Sequence, residues 1–230
     1  MTKSELLRTA KPILFNADMD RAILDNRKTA TRRCVKPQLD ACPSCMYMNV
    51  DYIYDENAQN IYCARCGEPF NPTIKSPYQS GDILYVREGG IIQSMKNFDK
   101  RVKIYFPADD SLVEFKVTPD EYERLSKFPE NKKISPYWLT KQESRIFLKV
   151  TDVRVERLQD ITIDGIRTEG LPSMAVHAGD MEIALAEWRI LWDSTIKKSD
   201  RDLYGWGANP WVWVIEFERI SPDDCLEVRR

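Results

Sequence analysis

The sequence predicts an α+β fold, in which a small, partly closed β-barrel is flanked by short helices and carries a compact cysteine-rich insertion. Apolar residues recur mainly in short runs with the two-residue period of strands, and a few segments with helical spacing lie between them. The longest strand pattern, residues 145–158, changes phase by one residue, which indicates a bulge of the kind that curls a sheet. Because 43% of the 230 residues are hydrophobic, the chain can form the core of one domain with an insertion, or of two small domains.

The N-terminal region predicts a strand, a short helix and a basic loop. Residues 11–15 are an apolar strand, and the spacing of Met19, Ala22 and Ile23 predicts a helix over residues 18–25. Asn26 falls where a left-handed residue commonly ends a helix. The stretch NRKTATRR, residues 26–33, is therefore predicted to be a loop held on a scaffold, a place where functional residues often lie.

Four of the six cysteines form two C-x-x-C motifs, Cys42 with Cys45 and Cys63 with Cys66. Two thiolates in such a turn can bind one metal ion, and the second pair completes a tetrahedral site. The intervening segment predicts two short strands around a turn at residues 55–60. We therefore predict a zinc ribbon over residues 41–71, with a structural Zn²⁺ because four thiolates leave no open position. Disulfides are the alternative, which the absence of an export signal disfavours.

The remaining elements follow from local patterns. Residues 81–88 predict a strand that ends at Glu88, a carboxylate that either points into a pocket or marks the exit to solvent. A hairpin at residues 103–117 precedes a helix that starts at Thr118. A second short helix is predicted between the cap Thr162 and Gly170. In the last strand, Trp211 and Trp213 are interpreted as core residues, with a base-stacking platform as the alternative.

The net charge and the absence of known motifs exclude several classes of function. The net charge of −2 argues against a protein that coats nucleic acids nonspecifically. Residues 27–36, however, contain five cations and no acid, and this basic segment is either a phosphate-binding site or a solvated loop. Neither a dinucleotide-binding nor a P-loop motif is present. No apolar run reaches the roughly 18 residues of a membrane span, so we expect a cytoplasmic protein without a membrane partner.

Four segments, in order, resemble an ASCH domain, a PUA-like β-barrel, in the variety common in bacteriophage and prophage genomes. They are KPILFNADMDRAILDNRKTATRR, GDILYVRE, RIFLKVTDVRVERLQDIT…TEG and GWGANPWVWVIEFERI. The resemblance assigns residues 1–40 and 72–230 to the ASCH domain, apart from residues 95–142, and leaves 41–71 as the zinc-ribbon insertion. It implies binding of RNA, another nucleic acid or a modified nucleoside in the cytoplasm of a bacterial host.

One small bacterial branch of this family removes the acetyl group from acetylated cytidine. Its catalytic lysine and threonine stand in a K-x-x-T arrangement that Lys28 and Thr31 match, and its catalytic glutamate is matched by Glu169. The resemblance implies that Thr31 is the nucleophile, Lys28 the base and Glu169 an acid or base. Burial and neighbouring cations would lower the pKa of Lys28. The candidate ligand or phosphate contacts are Arg27, Arg32, Arg33 and Glu88.

Three alternatives remain open at the level of sequence. The same residues suit a nucleic-acid-binding module without chemistry, because a shared fold says little about reaction. Lys28 and Glu169 also suit a purely structural salt bridge. A protein-interaction role in a bacteriophage, with the ribbon as the docking surface, is the third.

Overall fold

A computed structural model describes residues 7–38, 41–48, 50–70 and 74–221 of the chain. The strands in this part of the chain are β1 (Lys11–Leu14), β2 (Ala30–Cys34), β3 (Tyr52–Asp55), β4 (Asn60–Cys63), β5 (Ile83–Arg87), β6 (Gly90–Lys96), β7 (Arg101–Phe106), β8 (Ser111–Lys116), β9 (Lys133–Ile134), β10 (Phe147–Arg157) and β11 (Trp211–Ile220). The helices are α1 (Ala17–Leu24), α2 (Pro119–Ser126), α3 (Ile163–Thr168), α4 (Met174–Ala178), α5 (Met181–Thr195) and α6 (Arg201–Tyr204). The predicted α+β class is confirmed, whereas no closed barrel is present among the described residues.

The chain divides into two compact units. The first comprises Met1–Asn26, Asp82–Lys149 and Arg219–Arg230, and the second comprises Arg27–Gly81 and Val150–Glu218. The ribbon predicted over residues 41–71 therefore falls in the second unit, and its predicted last residue, 71, lies outside the described residues.

The first unit contains a mixed sheet and a separate antiparallel sheet. In the mixed sheet β1 runs parallel to β5, with Ile13 opposite Val86, and the start of β10 pairs antiparallel with β5. The other sheet has the order β8-β7-β6-β9 and packs with α2 around its own core, which includes Ile92, Ile104 and Leu125. Residues 95–142, which the family resemblance does not cover, thus contribute to an independent hydrophobic cluster. The predicted cap of α2 is confirmed, since Thr118 and Glu121 form a capping box.

The second unit is built on β11, which pairs antiparallel with β2 and places Val214 opposite Arg32. Helices α3, α4 and α5 cover a core that includes Ile166, Trp188 and Val212. Trp211 and Trp213 are each 3% exposed, so their interpretation as core residues is confirmed.

The prediction of a loop over residues 26–33 was wrong for its second half. Asn26 does adopt a left-handed conformation, with φ of 56°, after α1 ends at Leu24. Residues 30–33, however, belong to β2, whose backbone is paired with β11. With two consecutive arginines this segment lacks the apolar pattern of a strand. The buried Arg32 is tolerated because Glu156 and Glu169 compensate its charge.

Candidate functional site

An isolated β-bridge between Lys28 and Glu169 forms the base of the candidate site. The amide of Thr29 donates to the carbonyl of Thr168 at 2.8 Å, which joins this segment to the end of α3. The helix starts at its predicted cap, Thr162, and Gly170 then takes φ of 84°, a conformation that glycine adopts without strain. These local features fix the position of Glu169.

The ammonium group of Lys28 is completely enclosed. Its Nζ lies 2.6 Å from Glu169 Oε2, 2.8 Å from the carbonyl oxygen of Ala30 and 3.0 Å from that of Glu169. The side chain of Lys28 is 0% exposed and that of Glu169 is 3% exposed. Because an ammonium carries three donors, each proton has an acceptor, which is the condition for retaining a charge in a protein interior.

Arg32 is the third member of this buried cluster. Its NH1 lies 3.3 Å from Glu169 Oε1, while its Nε and NH2 lie 3.0 and 2.7 Å from Glu156 Oε1. Gly165 permits this approach, because a Cβ at that position would lie 3.0 Å from Arg32 NH2 and 2.9 Å from Ile161 Cγ1. The arginine predicted to contact ligand or phosphate is thus already bound to two carboxylates.

Burial is the main cause that lowers the pKa of Lys28 from its ordinary value. The Glu169 carboxylate opposes this shift by favouring the charged form, whereas Arg33 and Arg32 add to it. A lysine in such surroundings is closer to the neutral form than an exposed lysine, which is the property that a general base requires near neutral pH.

A pocket of about 230 Å³ lies beside the cluster. Its lining is rich in carboxylates and includes Arg32, Arg154, Glu156, Asp160, Asp164 and Glu216. Arg154 is itself paired, with Glu216 at 2.6 Å and Glu156 at 3.5 Å. The wall therefore offers more acceptors than unpaired cations and suits a small ligand with several hydrogen-bond donors better than a phosphate.

The other predicted residues of this unit lie along the same segment. Thr31 is 4% exposed and stands opposite Ile215, and the alternation of β2 turns its side chain to the face opposite Arg32. Arg33 shares the face of Thr31 and is half-buried. Arg27 donates from NH1 to the carbonyl of Gly170 at 2.8 Å. The structure therefore brings Lys28, Arg32 and Glu169 into contact, while the roles assigned to Thr31, Arg27 and Arg33 stay predictions.

Glu88 belongs to the first unit, where it is 3% exposed and holds a bidentate ion pair with Arg145. The two contacts measure 2.9 and 2.7 Å, and Arg145 also binds Asp109. Burial raises the pKa of Glu88, while Arg145 opposes this shift. Its role as a ligand contact stays a prediction.

Sequence reasoning missed Asp20, a second buried carboxyl group in the first unit. Asp20 is 2% exposed, and its Oδ1 has no hydrogen-bond partner among the described residues. Burial, and secondarily the charge of Glu88, raise the pKa of Asp20 to about 8. No local pattern marks it, because an acid in the first turn of a helix is ordinarily a solvated residue that favours the helix dipole.

The four predicted cysteine ligands are brought together in the second unit. Their sulfur atoms lie within 4.8 Å of one another, with Cys42 3.6 Å from Cys66 and Cys45 3.9 Å from Cys63. A tetrahedral ion with metal–sulfur bonds of about 2.3 Å separates its ligands by about 3.8 Å, so these distances fit a single metal ion. The predicted hairpin between the pairs is confirmed as β3 and β4.

The hairpin is attached to β11 by two aromatic contacts. Tyr52 meets Trp211 edge to face with ring centroids 5.3 Å apart, and Tyr54 meets Trp213 in the same way at 5.0 Å. The cysteine centre and the strand that pairs with β2 therefore share one packed interface within the second unit.

Removal of the metal ion is expected to loosen this interface. Because a bound ion would hold the four thiolates together, chelation should lower the melting temperature by about 10 °C and weaken the near-ultraviolet circular dichroism of the tryptophans. Cys63→Ser should reproduce the effect. Cys34→Ser, at a half-buried thiol outside the cluster, is the control. An unchanged melting temperature after verified metal removal would contradict this prediction.

Comparisons of the chain with protein-family models, with curated proteins and with solved structures found no match. Within the described residues, no helix has the length and apolar character needed to cross a membrane.

Proposed function

We propose that this chain is an ASCH-type protein, with a PUA-like barrel, that binds a modified nucleoside beside Lys28 and hydrolyses an acyl amide on it. The main support is the enclosed ion pair of Lys28 and Glu169, whose side chains are 2.6 Å apart. Burial lowers the pKa of Lys28 in this pair. Perturbed and paired ionisable groups of this kind are common at catalytic sites. The K-x-x-T spacing supplies Thr31 as the nucleophile.

The proposed reaction has two stages. Lys28, in the fraction of molecules in which it is neutral, accepts the proton of the Thr31 hydroxyl as its oxygen attacks the acyl carbon. When the carbon–nitrogen bond breaks, the departing cytidine amine takes a proton from Lys28, and the acyl group stays on Thr31 as an ester. Lys28 then takes a proton from water as the water oxygen attacks the ester carbon. It returns this proton to the Thr31 oxygen when the ester bond breaks and the carboxylic acid leaves, while Glu169 holds Lys28 in position.

The pocket beside Arg32 favours a nucleoside over a polynucleotide as the ligand. Thr31, on the opposite face of β2, does not line this pocket, so the K-x-x-T match alone supports its proposed role. Both arginines in the lining are paired with carboxylates, and the volume of about 230 Å³ suits a small ligand. Sugar hydroxyls and the base amine are donors that an acceptor-rich wall can bind. We also propose that the ion in the cysteine centre is Zn²⁺ with a structural role, since four thiolates give a closed site, and that the protein acts in the bacterial cytoplasm.

Turnover on N4-acylated cytidines tests this function. The wild-type protein should release cytidine, and Glu169→Gln and Thr31→Val should each lower kcat at least about 100-fold, because the first removes the group that orients the base and the second the group that forms the ester. Lys11→Ala, at a lysine paired with Asp82 in the first unit, is the matched control and should keep full activity.

Absence of turnover on every N4-acylated cytidine tested would contradict the proposed hydrolase function. Salt-dependent binding of RNA or DNA that weakens in Arg33→Ala would then favour a nucleic-acid-binding module without chemistry. Capture of a stable protein partner, without nucleotide, would favour the interaction module.

A further inference from the structure

Glu156 links the wall of the pocket to the buried cluster. It lies on β10 and reaches Arg32 across β11, the strand that separates β10 from β2 in the sheet. Its side chain lines the pocket and is 20% exposed, against 2% for Arg32 and 3% for Glu169. Solvent and small molecules in the pocket can therefore reach Glu156, whereas Glu169 is enclosed.

Arg32 is shared unequally between two carboxylates. Its Nε and NH2 groups lie 3.0 and 2.7 Å from Glu156 Oε1, whereas its NH1 group lies 3.3 Å from Glu169 Oε1. Shorter charge-assisted hydrogen bonds are the stronger ones, so Glu156 holds the guanidinium more firmly than Glu169 does. Because the donors of a guanidinium form a rigid fork, an arginine that moves toward one of these carboxylates moves away from the other.

Glu169 is shared in the same way, between Arg32 and Lys28. Its Oε1 faces Arg32, and its Oε2 lies 2.6 Å from Lys28 Nζ. Glu156, Arg32, Glu169 and Lys28 thus form a row of alternating charges that begins at the pocket wall and ends at the enclosed ammonium group. Because water screens such buried charges poorly, a change of charge at the first member alters the balance at the last.

We propose that Glu156 is a positioning residue that sets the charge on Lys28 from the wall of the pocket. Its carboxylate draws Arg32 away from Glu169, which leaves Glu169 to stabilise the Lys28 ammonium. Without the charge of Glu156, Arg32 binds Glu169 more closely, and Lys28 releases its proton to water more readily. The catalytic consequence of this control rests on the proposed function, whereas the control of the charge does not.

Titration of Lys28 in the full-length Glu156→Gln variant tests the proposal. Glutamine keeps the size of the side chain and a carbonyl oxygen for Arg32, and it removes the charge. In protein with isotope-labelled lysine, the NMR resonance of Lys28 Cε reports its protonation and is assigned by its absence from the double variant Lys28→Met with Glu169→Gln. At a fixed pH below the midpoint of the titration, the neutral fraction of Lys28 should rise about 3-fold or more in Glu156→Gln.

Glu216→Gln is the matched control. Glu216 lines the same pocket and pairs with Arg154 at 2.6 Å, and it has no ion pair with Arg32 among the described residues. This variant removes the same charge from the wall and leaves the contacts of Arg32 in place, so the Lys28 titration should stay close to that of the wild type. An unchanged Lys28 titration in Glu156→Gln, or an equal shift in both variants, would overturn the proposal.

The pH profile of cytidine release separates this role from the proposed function. Because a general base acts in its neutral form, the rise of kcat/KM with pH should move to lower pH in Glu156→Gln. A shifted Lys28 titration in a protein that releases no cytidine would support the control of the charge and contradict the hydrolase. A lower kcat with an unmoved titration and an unmoved pH profile would overturn the proposal, by showing that Glu156 acts only through packing.

Discussion

Replacing Lys28 by methionine is expected to lower the free energy of unfolding by about 3–5 kcal/mol, because the change leaves the buried Glu169 carboxylate without its closest counterion. Glu169 retains only the longer contact with Arg32, at 3.3 Å against 2.6 Å for Lys28. Methionine keeps the length of the side chain, so the loss reports the charge rather than a cavity. Urea unfolding at pH 7 measures the difference.

The double variant Lys28→Met with Glu169→Gln removes both charges of the pair, so its activity can be measured in a protein that is expected to be stable. Removing both charges removes the uncompensated carboxylate, and the glutamine amide can still pair with Arg32, so most of the lost stability should return. Lys11→Met is the control, because its ion pair with Asp82 is partly exposed and is expected to change stability by less than about 1 kcal/mol. A loss below about 1 kcal/mol for Lys28→Met would show that the pair is not the desolvated ion pair described above.

Replacing Asp20 by asparagine is expected to stabilise the protein at neutral and alkaline pH. In the folded chain, burial and Glu88 raise the pKa of Asp20 from 3.8 to about 8, so this carboxyl group keeps its proton where the unfolded chain has lost it. The folded state therefore binds more protons between pH 4 and 8, and stability falls as pH rises through that interval. Above the folded pKa the effect levels off.

The size of the Asp20 effect follows from the same shift. Asparagine does not titrate, so its advantage over aspartate should grow between pH 4 and 8 to about 2–5 kcal/mol. Denaturant unfolding at pH 5, 7 and 9 measures this growth. Asp18→Asn, at an exposed position on the same helix, should give a difference that is nearly constant with pH. A constant difference for Asp20→Asn as well would contradict the prediction.

The features that the sequence predicted well depend on local chemistry. Cysteines in two C-x-x-C motifs can reach one ion wherever the segment lies, and Thr118 and Asn26 act through backbone atoms a few residues away. The predicted helix over residues 18–25 corresponds to α1, and the strand predicted at residues 145–158 corresponds to β10, because their spacing is strong.

The features that it missed depend on contacts between distant parts of the chain. β2 is a strand because it pairs with β11, and Arg32 is buried because Glu156 and Glu169 neutralise it. The burial of Asp20 and Tyr52 is likewise decided by tertiary packing, which residue type alone does not reveal. A salt bridge between Lys28 and Glu169 was an open alternative at the level of sequence, and the contact is present, but its burial and its extension to Arg32 depend on tertiary packing.

We propose that the buried pair of Lys28 and Glu169 serves catalysis. Cytidine release from N4-acetylcytidine, compared between the wild-type protein and the folded Lys28→Met, Glu169→Gln double variant, tests it most directly. We expect multiple turnovers by the wild-type protein and none by the double variant, although the two proteins should have nearly equal free energies of unfolding. Equal release by both proteins, or release by neither, would contradict it.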